Sequence, residues 1–298
     1  MKKKNYLIQF PRYMIKIINY FLQSIFIYLF FLIGRLAGIN LGRKIFSAVF
    51  FYIGPFFKSK KIINKNLSIF RKNISNVTKD EIIKDMWNNY GMTFIEYVFL
   101  DYFRKNNSQV EIIGEINLAK IRKKNKPVIF VSGHFANFEL MSMEITKKKI
   151  ALATIYRPLN NFFLNPFMEY LRKKYVCKNQ IKKGVSGVRN AIQFIKKKHS
   201  IALMIDQRVS EGEKINFFGT DALTTTLPAQ LALKYDLEII PVFLERTKNN
   251  KFKLEFYNEI KSKNFKNKIE LTKKLNEIIE KMIIKNPNQW IWTHNRWK

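Results

Sequence analysis

Apolar and polar positions change their period several times along the chain, and those changes divide it. Residues 17–34, IINYFLQSIFIYLFFLIG, contain no charge. At about 1.5 Å of rise per residue, a helix over this run nearly crosses a hydrocarbon core of about 30 Å. It reads as a membrane anchor. Lys2, Lys3, Lys4, Arg12 and Lys16 precede it and Arg35, Arg43 and Lys44 follow it, so positive charge at both ends leaves orientation open, as it does spanning against in-plane insertion. A cleaved leader is the competing reading, but the run is longer than a leader core and no small-x-small site follows it. A second apolar stretch, 47–57, is too short to span, and its Gly54-Pro55 pair predicts a broken helix lying on a surface. The basic residues Lys58, Lys60, Lys61, Lys65, Arg71 and Lys72 come next. Anionic headgroups attract such a cluster by about 1 kcal/mol per nearby cation.

Residues 79–104 carry apolar side chains at three and four spacing, which predicts a helix with Thr78 as its cap. Short aliphatic runs then alternate with amphipathic segments. Strands are predicted over 127–132, 150–156, 200–206 and 238–246, and helices over 137–148, 164–175, 187–198 and 227–235. Unbroken aliphatic runs suit strands buried on both faces, and the amphipathic helices between them supply the cover. The fold class is therefore α/β: a mostly parallel central sheet flanked by helices, with an N-terminal membrane-anchoring helix. Two units are expected, residues 1–60 as anchor and interfacial segment and residues 61–298 as a catalytic domain with one large core.

Composition narrows the partners. Lys and Arg number 54 against 22 Asp and Glu, a net charge of +32, which draws the chain toward polyanions. The lysines are scattered in pairs and triplets instead of forming an Arg-rich block with interleaved aromatics, so an anionic membrane surface is expected and nucleic acid is not. Cys177 is the single cysteine, which excludes an internal disulfide and a cysteine-based zinc site. GxSxG is absent from the sequence, so no covalent serine intermediate is needed; HExxH and paired metal-ligand spacings are absent too, so no metal is expected, and no other cofactor is expected.

In open α/β sheets, ligands gather where strand carboxyl ends open into loops. Three such ends carry unusual polar content: SGHFANFE at 132–139, YRP at 156–158 and DQR at 206–208. His134 is the natural general base. On one regular helix His134 and Glu139 would point about 140° apart, so the pair requires His134 in a turn and Glu139 in the first turns of the next helix. Gly133 would supply the unusual backbone angles for that turn. Glu139 would then hold the proton of one ring nitrogen, leaving the other to accept a proton from a hydroxyl. Arg157 has the fork for a phosphate or carboxylate. Asp206 and Gln207 could orient polar substrate groups, and Thr224, Thr225 and Thr226 ahead of Pro228 could present helix amides to an anion. A turn-forming Asp and capping threonines are the bland alternatives. The closing PNQWIWTHNRWK reads as a docked tail with tryptophans at a membrane interface.

SGHFANFE, YRPLNN at 156–161, DQR, FFGTDALTT at 217–225 and the closing segment, with MWNNYGMTFIEY before them, resemble the late acyltransferases of lipid A biosynthesis. This lauroyl/myristoyl transferase family lies within the lysophospholipid-acyltransferase-like superfamily. The resemblance implies an inner-membrane enzyme facing the cytoplasm, moving a fatty acyl group from acyl carrier protein to a hydroxyl on the acyl chains of a Kdo-bearing lipid A precursor. It implies His134 as base and Glu139 as its partner, with Arg157, Asp206, Gln207 and Thr224 shaping the substrate site and donors around the 133–138 turn meeting the oxyanion. Arg208 stands where many members differ. The Glu-Gly-Thr-Arg block of the phospholipid-type enzymes is missing, which argues against lysophosphatidate as acceptor. Two other readings stand beside this one: an acyltransferase for another glycolipid or aminolipid, and a catalytically silent basic protein of membrane surfaces or nucleic acid.

Overall fold

The N-terminal apolar run belongs to one long helix, α1 (Lys4–Phe57), followed by α2 (Lys60–Phe70) and α3 (Asn76–Glu96). The structure, a computed structural model, describes residues 4–124 and 126–298, with side chains from Tyr13 onward; Lys2 and Lys3, which flank the anchor, lie outside the described residues. Among the described residues α1 is the one helix long and apolar enough to cross a membrane, and Ile15, Ile18, Phe26 and Leu29 on it are exposed. The break expected at Gly54-Pro55 does not occur. The helix runs through both residues to Phe57 and is interrupted instead at Gly38, where φ is 78° and ψ 163°. The second half of α1 stays helical through Pro55 while packed along α3, and that packing outweighs one lost backbone bond. Gly54 leaves room for Trp87 of α3, whose Cε3 would lie 2.3 Å from an added Cβ.

Helix α3 begins earlier than Thr78 because the Ser75 hydroxyl accepts the Thr78 N–H at 3.1 Å and so caps it. A 3-10 turn, Tyr97–Phe99, joins it to α4 (Leu100–Lys105). The alternating part then runs β1 (Val110–Ile113), α5 (Glu115–Lys124), β2 (Ile129–Ser132), α6 (Glu139–Lys147), β3 (Leu152–Tyr156), α7 (Asn165–Leu171), β4 (Asn179–Lys182), α8 (Val185–Lys196) and β5 (Ser200–Met204). A hairpin of β6 (Glu213–Phe217) and β7 (Thr220–Thr224) follows, then α9 (Leu227–Tyr235), β8 (Glu238–Arg246), β9 (Phe252–Phe256), β10 (Ile260–Lys261) and α10 (Lys268–Lys285).

The main sheet has the order β1-β9-β8-β2-β5-β3-β4, with β10 on the start of β8. Its pairs are parallel except those that β8 makes with β9 and β10. Period-two alternation sends Ile129, Val131, Ile201 and Leu203 into one core, with α8, α9 and α10, and Val128, Phe130, Ala202 and Ile240 into the other, with α1, α4 and α6. The result is three layers, helices on both faces of a mostly parallel sheet, as the unbroken aliphatic runs require.

Buried charge ties α1 into this body. Arg43 of α1 donates to Glu96 at the end of α3 at 2.7 Å, and Arg246 at the end of β8 donates to both Glu96 oxygens. Closer to the apolar run, Arg35 grips Asp101 with two parallel bonds of 2.9 and 2.8 Å. The two helices approach backbone to backbone at Gly91, where an added Cβ would lie 2.0 Å from the Phe46 carbonyl oxygen of α1. Helix propensity alone would make Gly91→Ala stabilising by about 1 kcal/mol. The contact with an immovable backbone reverses the sign, so Gly91→Ala is expected to destabilise by about 1–3 kcal/mol, read as a lowered melting temperature in detergent; a raised one would refute the close approach.

Candidate active site

Strands β2 and β5 are hydrogen-bonded neighbours with Ser132 opposite Met204, so the loops leaving their carboxyl ends emerge side by side. The first loop carries His134 and the second Asp206. The His134 Nδ1–H donates to Asp206 Oδ1 at 2.7 Å, while Asp206 Oδ2 accepts the His134 backbone N–H at 2.9 Å and the Trp290 Nε1–H at 2.8 Å. Burial alone would raise the Asp206 pKa, but the His134 ring, its two hydrogen bonds and Trp290 outweigh burial and hold the carboxyl at about 2. An ionised carboxylate on Nδ1 fixes the proton there and leaves the lone pair on Nε2. The ring also rests edge-on against Phe138, 4.7 Å between centroids.

His134 lies in the turn and Glu139 at the first residue of α6, within the first turns that pairing would require, but the expected contact between them is absent. Glu139 Oε1 instead accepts from Arg172 Nε at 2.7 Å and from the Tyr97 hydroxyl at 2.8 Å, and Arg172 also donates to the Tyr97 oxygen at 3.1 Å. A permanently charged guanidinium competes better for a buried carboxylate than an imidazole already engaged by Asp206. The Arg172 charge is reinforced against its own burial by Glu139 and Tyr97, and burial together with Glu139 raises the Tyr97 hydroxyl pKa.

Gly133 is not the residue with unusual backbone angles. Ala136 takes that role with φ of 43°, and Gly133 is needed for closeness: an added Cβ would lie 2.7 Å from the Phe135 ring. The strained Ala136 is pinned from two sides, its N–H donating to Gln289 O at 3.2 Å and its carbonyl accepting from Thr93 at 3.1 Å. Asn137 next to it donates to Glu96 Oε2 at 3.0 Å. These bonds change the expected oxyanion donors. The amide of His134 is spent on Asp206, that of Phe135 on Gly133 O and that of Ala136 on Gln289.

A cavity of about 240 Å³ opens beside His134, lined by Arg157, Arg172, Lys183 and Arg208 against the single carboxylate of Glu139. A second, of about 340 Å³, is lined by aromatic and aliphatic side chains from α1 and α3, among them Phe50, Met86, Tyr90 and Phe94. His134, Phe138, Arg172 and Gln207 line both. Arg157 and Gln207 line the cationic cavity. Thr224 does not. It is fully buried, accepting from Arg296 Nη2 at 2.6 Å and donating to Ala222 O at 2.9 Å, and Thr225 takes its place on the wall. The closing tryptophans are not interfacial either. Trp290, Trp292 and Trp297 are buried, and their N–H groups are satisfied by Asp206, Pro287 O and Phe217 O. Cys177 is buried, which pushes its thiol up to about 11 and removes it as a nucleophile.

The family model described as bacterial lipid A biosynthesis acyltransferase matches residues 11–298, almost the whole chain. The chain belongs to that family. Among its curated relatives, the lipid A biosynthesis palmitoleoyltransferase of Escherichia coli (strain K12) and the lipid A biosynthesis acyltransferase of Shigella flexneri are each 23% identical over 252 residues, 82% of this chain and 80% of theirs. A crystal structure of the 1-acyl-sn-glycerophosphate acyltransferase of Thermotoga maritima aligns with a TM-score of 0.41 and 13% identity, over 85% of this chain and all of that one. In this acyltransferase, sequence reasoning misses Arg172, Tyr97 and Trp290 as neighbours of the pair; Tyr97 does end the quoted MWNNYGMTFIEY, and Trp290 lies in the closing segment.

The depressed Asp206 pKa makes a signed prediction. Stability from the ionised carboxylate is present above about pH 4, its unfolded range, and is lost as pH falls through about 2, a contribution of about 2 kcal/mol. Asp206→Asn should remove that acid-side slope from the melting-temperature profile and, by releasing the His134 tautomer, lower kcat for acyl transfer by about 10³–10⁴-fold. An unchanged kcat would show that the Asp206–His134 contact has no part in the reaction.

Proposed function

We propose that this acyltransferase moves a fatty acyl group from acyl carrier protein to a hydroxyl on the acyl chains of a Kdo-linked lipid A precursor, at the cytoplasmic face of the inner membrane. The observation that carries the reading is His134, its Nδ1 fixed on Asp206, standing where a cationic cavity meets an aromatic one. The aromatic cavity suits an acyl chain, and Arg157, Lys183 and Arg208 suit the phosphates of a glycolipid. The net charge of +32 favours both an acidic carrier protein and an anionic membrane surface.

In this reading the acceptor hydroxyl attacks the thioester carbonyl carbon as His134 Nε2 takes its proton. Asp206 stabilises the imidazolium that forms. The C–S bond then breaks, and the thiolate leaves with the proton from His134. Glu139 acts one step removed, holding Arg172 against both cavities. Gln207 and Arg157 contact substrate. The coarser alternative, transfer to another glycolipid or aminolipid, uses the same chemistry on a different acceptor.

The test is an assay of the purified protein with a lipid A precursor and a ladder of acyl carrier protein thioesters. Wild type should acylate the precursor, and His134→Ala should lower the rate by about 10⁴-fold or more while still floating with anionic vesicles. Full transfer by the variant would remove His134 as the base, and no product with any thioester would reject the donor or the acceptor.

A further inference from the structure

His294 belongs to the closing segment and lines the same cavity as His134. Its Nε2 accepts the backbone N–H of Arg208 at 2.9 Å. A backbone amide can only donate, so Nε2 holds a lone pair and the proton of the neutral ring sits on Nδ1. That Nδ1 has no protein partner among the described residues and is not sealed from solvent. Burial lowers the ring's pKa to about 4, with His134, Arg296 and Lys58 adding repulsion against the opposing Asp206. The ring therefore stays neutral and keeps one N–H to donate.

His134 has the same tautomer with the opposite nitrogen engaged: its Nδ1 proton is donated to Asp206 and its Nε2 lone pair is free. Charge that develops on a thioester carbonyl oxygen needs a positioned donor, and three amides of the 133–138 turn are already engaged. We propose that His294 is a second catalytic histidine, whose Nδ1–H donates to the acyl carbonyl oxygen as it becomes an oxyanion. The inference rests on the reading of the site as thioester acyl transfer. As the hydroxyl oxygen bonds to the carbonyl carbon and its proton passes to His134, the carbonyl electron pair moves onto the oxygen facing His294. Its return expels the sulfur, which takes the proton from His134. His294 keeps its proton throughout.

The segment around His294 is rigid, as a preorganised donor requires. The His294 carbonyl accepts from Asn66 of α2 at 2.7 Å, and Arg296 donates to Leu223 O at 2.8 Å and to Thr224 of the hairpin. Trp290, four residues before, is the donor that grips Asp206, so one segment fixes both histidines.

Two variants divide the ring's two nitrogens. His294→Gln can set an amide oxygen near Nε2, keeping the Arg208 contact while deleting the Nδ1 donor; His294→Asn can set an amide nitrogen near Nδ1, keeping the donor while losing that contact. The Gln variant should keep its melting temperature and KM but lose about 100-fold in kcat, whereas the Asn variant should melt lower and stay within about tenfold of wild-type kcat. NMR of isotope-labelled histidine nitrogens in the wild type should place the His294 proton on Nδ1 from about pH 5 to 8. A folded Gln variant with full kcat, activity losses that merely track melting temperature, or a proton on Nε2 would each overturn the proposal. His134→Ala run alongside separates the two ideas: transfer that survives it defeats the base assignment, while transfer that it abolishes but His294→Gln spares defeats only the role of His294.

Discussion

The buried carboxylate of Asp206 is the interaction on which the site depends. It accepts three hydrogen bonds, two from His134 and one from Trp290, and these reach it from separate stretches of chain. A carboxylate with 1% exposure is tolerable only when its charge is answered this fully. The requirement works in both directions. The sheet register that sets Ser132 beside Met204 delivers His134 to Asp206, and the docked tail that delivers Trp290 must be folded for the same carboxylate to be satisfied. Formation of the site is thus coupled to closure of the C-terminal segment over the sheet.

A second buried carboxylate supports the first at one remove. Glu96 lies between Arg43 and Arg246 and also receives Asn137, so the turn that carries His134 hangs from the same cluster that holds α1. The guanidinium of Arg246 has further acceptors in Asn89 and Thr93, and Thr93 in turn fixes the Ala136 carbonyl. Two cations around one anion leave an excess positive charge inside the protein, and Arg43 Nη2 is left without a partner. Such a cluster is a poor source of stability compared with apolar packing of equal volume. Its geometric effect is to hold a strained, non-glycine left-handed residue in the turn that carries His134.

Much of this architecture is legible in the sequence, and the parts that are not share a cause. The central strands show themselves because burial on both faces demands unbroken aliphatic runs, as in β2, β5 and β8. By contrast β9, FKLEF, alternates buried and half-buried positions, while β4 buries only Ile181, so both lack the signal that marks their neighbours. Spacing also reads that His134 precedes a helix with Glu139 in its first turns, although α6 starts two residues later than the pattern suggests, at Glu139. It cannot show which carboxylate the ring meets. Asp206 lies 72 residues away, and its approach depends on the order of strands, which periodicity does not encode. The tryptophans of the tail mislead for a related reason: an amphipathic ring with one donor suits a membrane interface or a core acceptor equally well, and only the fold supplies Asp206, Pro287 O and Phe217 O as acceptors.

The apolar helix is also part of the catalytic body, not a tether joined to it by a flexible linker. Past Gly38 it lies along α3, contributes Phe50 to the aromatic cavity and anchors Glu96 through Arg43. Before Gly38 it is clasped by the loop after β3, where Asn161 donates to Tyr20 O at 2.7 Å and Tyr28 donates to Phe163 O at 2.8 Å. That loop includes Leu159, on the wall of the aromatic cavity, and continues from Arg157 in the cationic one. Rigid contacts on both sides of the bend therefore fix the distance between the apolar surface of α1 and His134. A flexible tether would only raise the local concentration of a lipid substrate; a helix built into the wall of the aromatic cavity also holds that wall in place against His134.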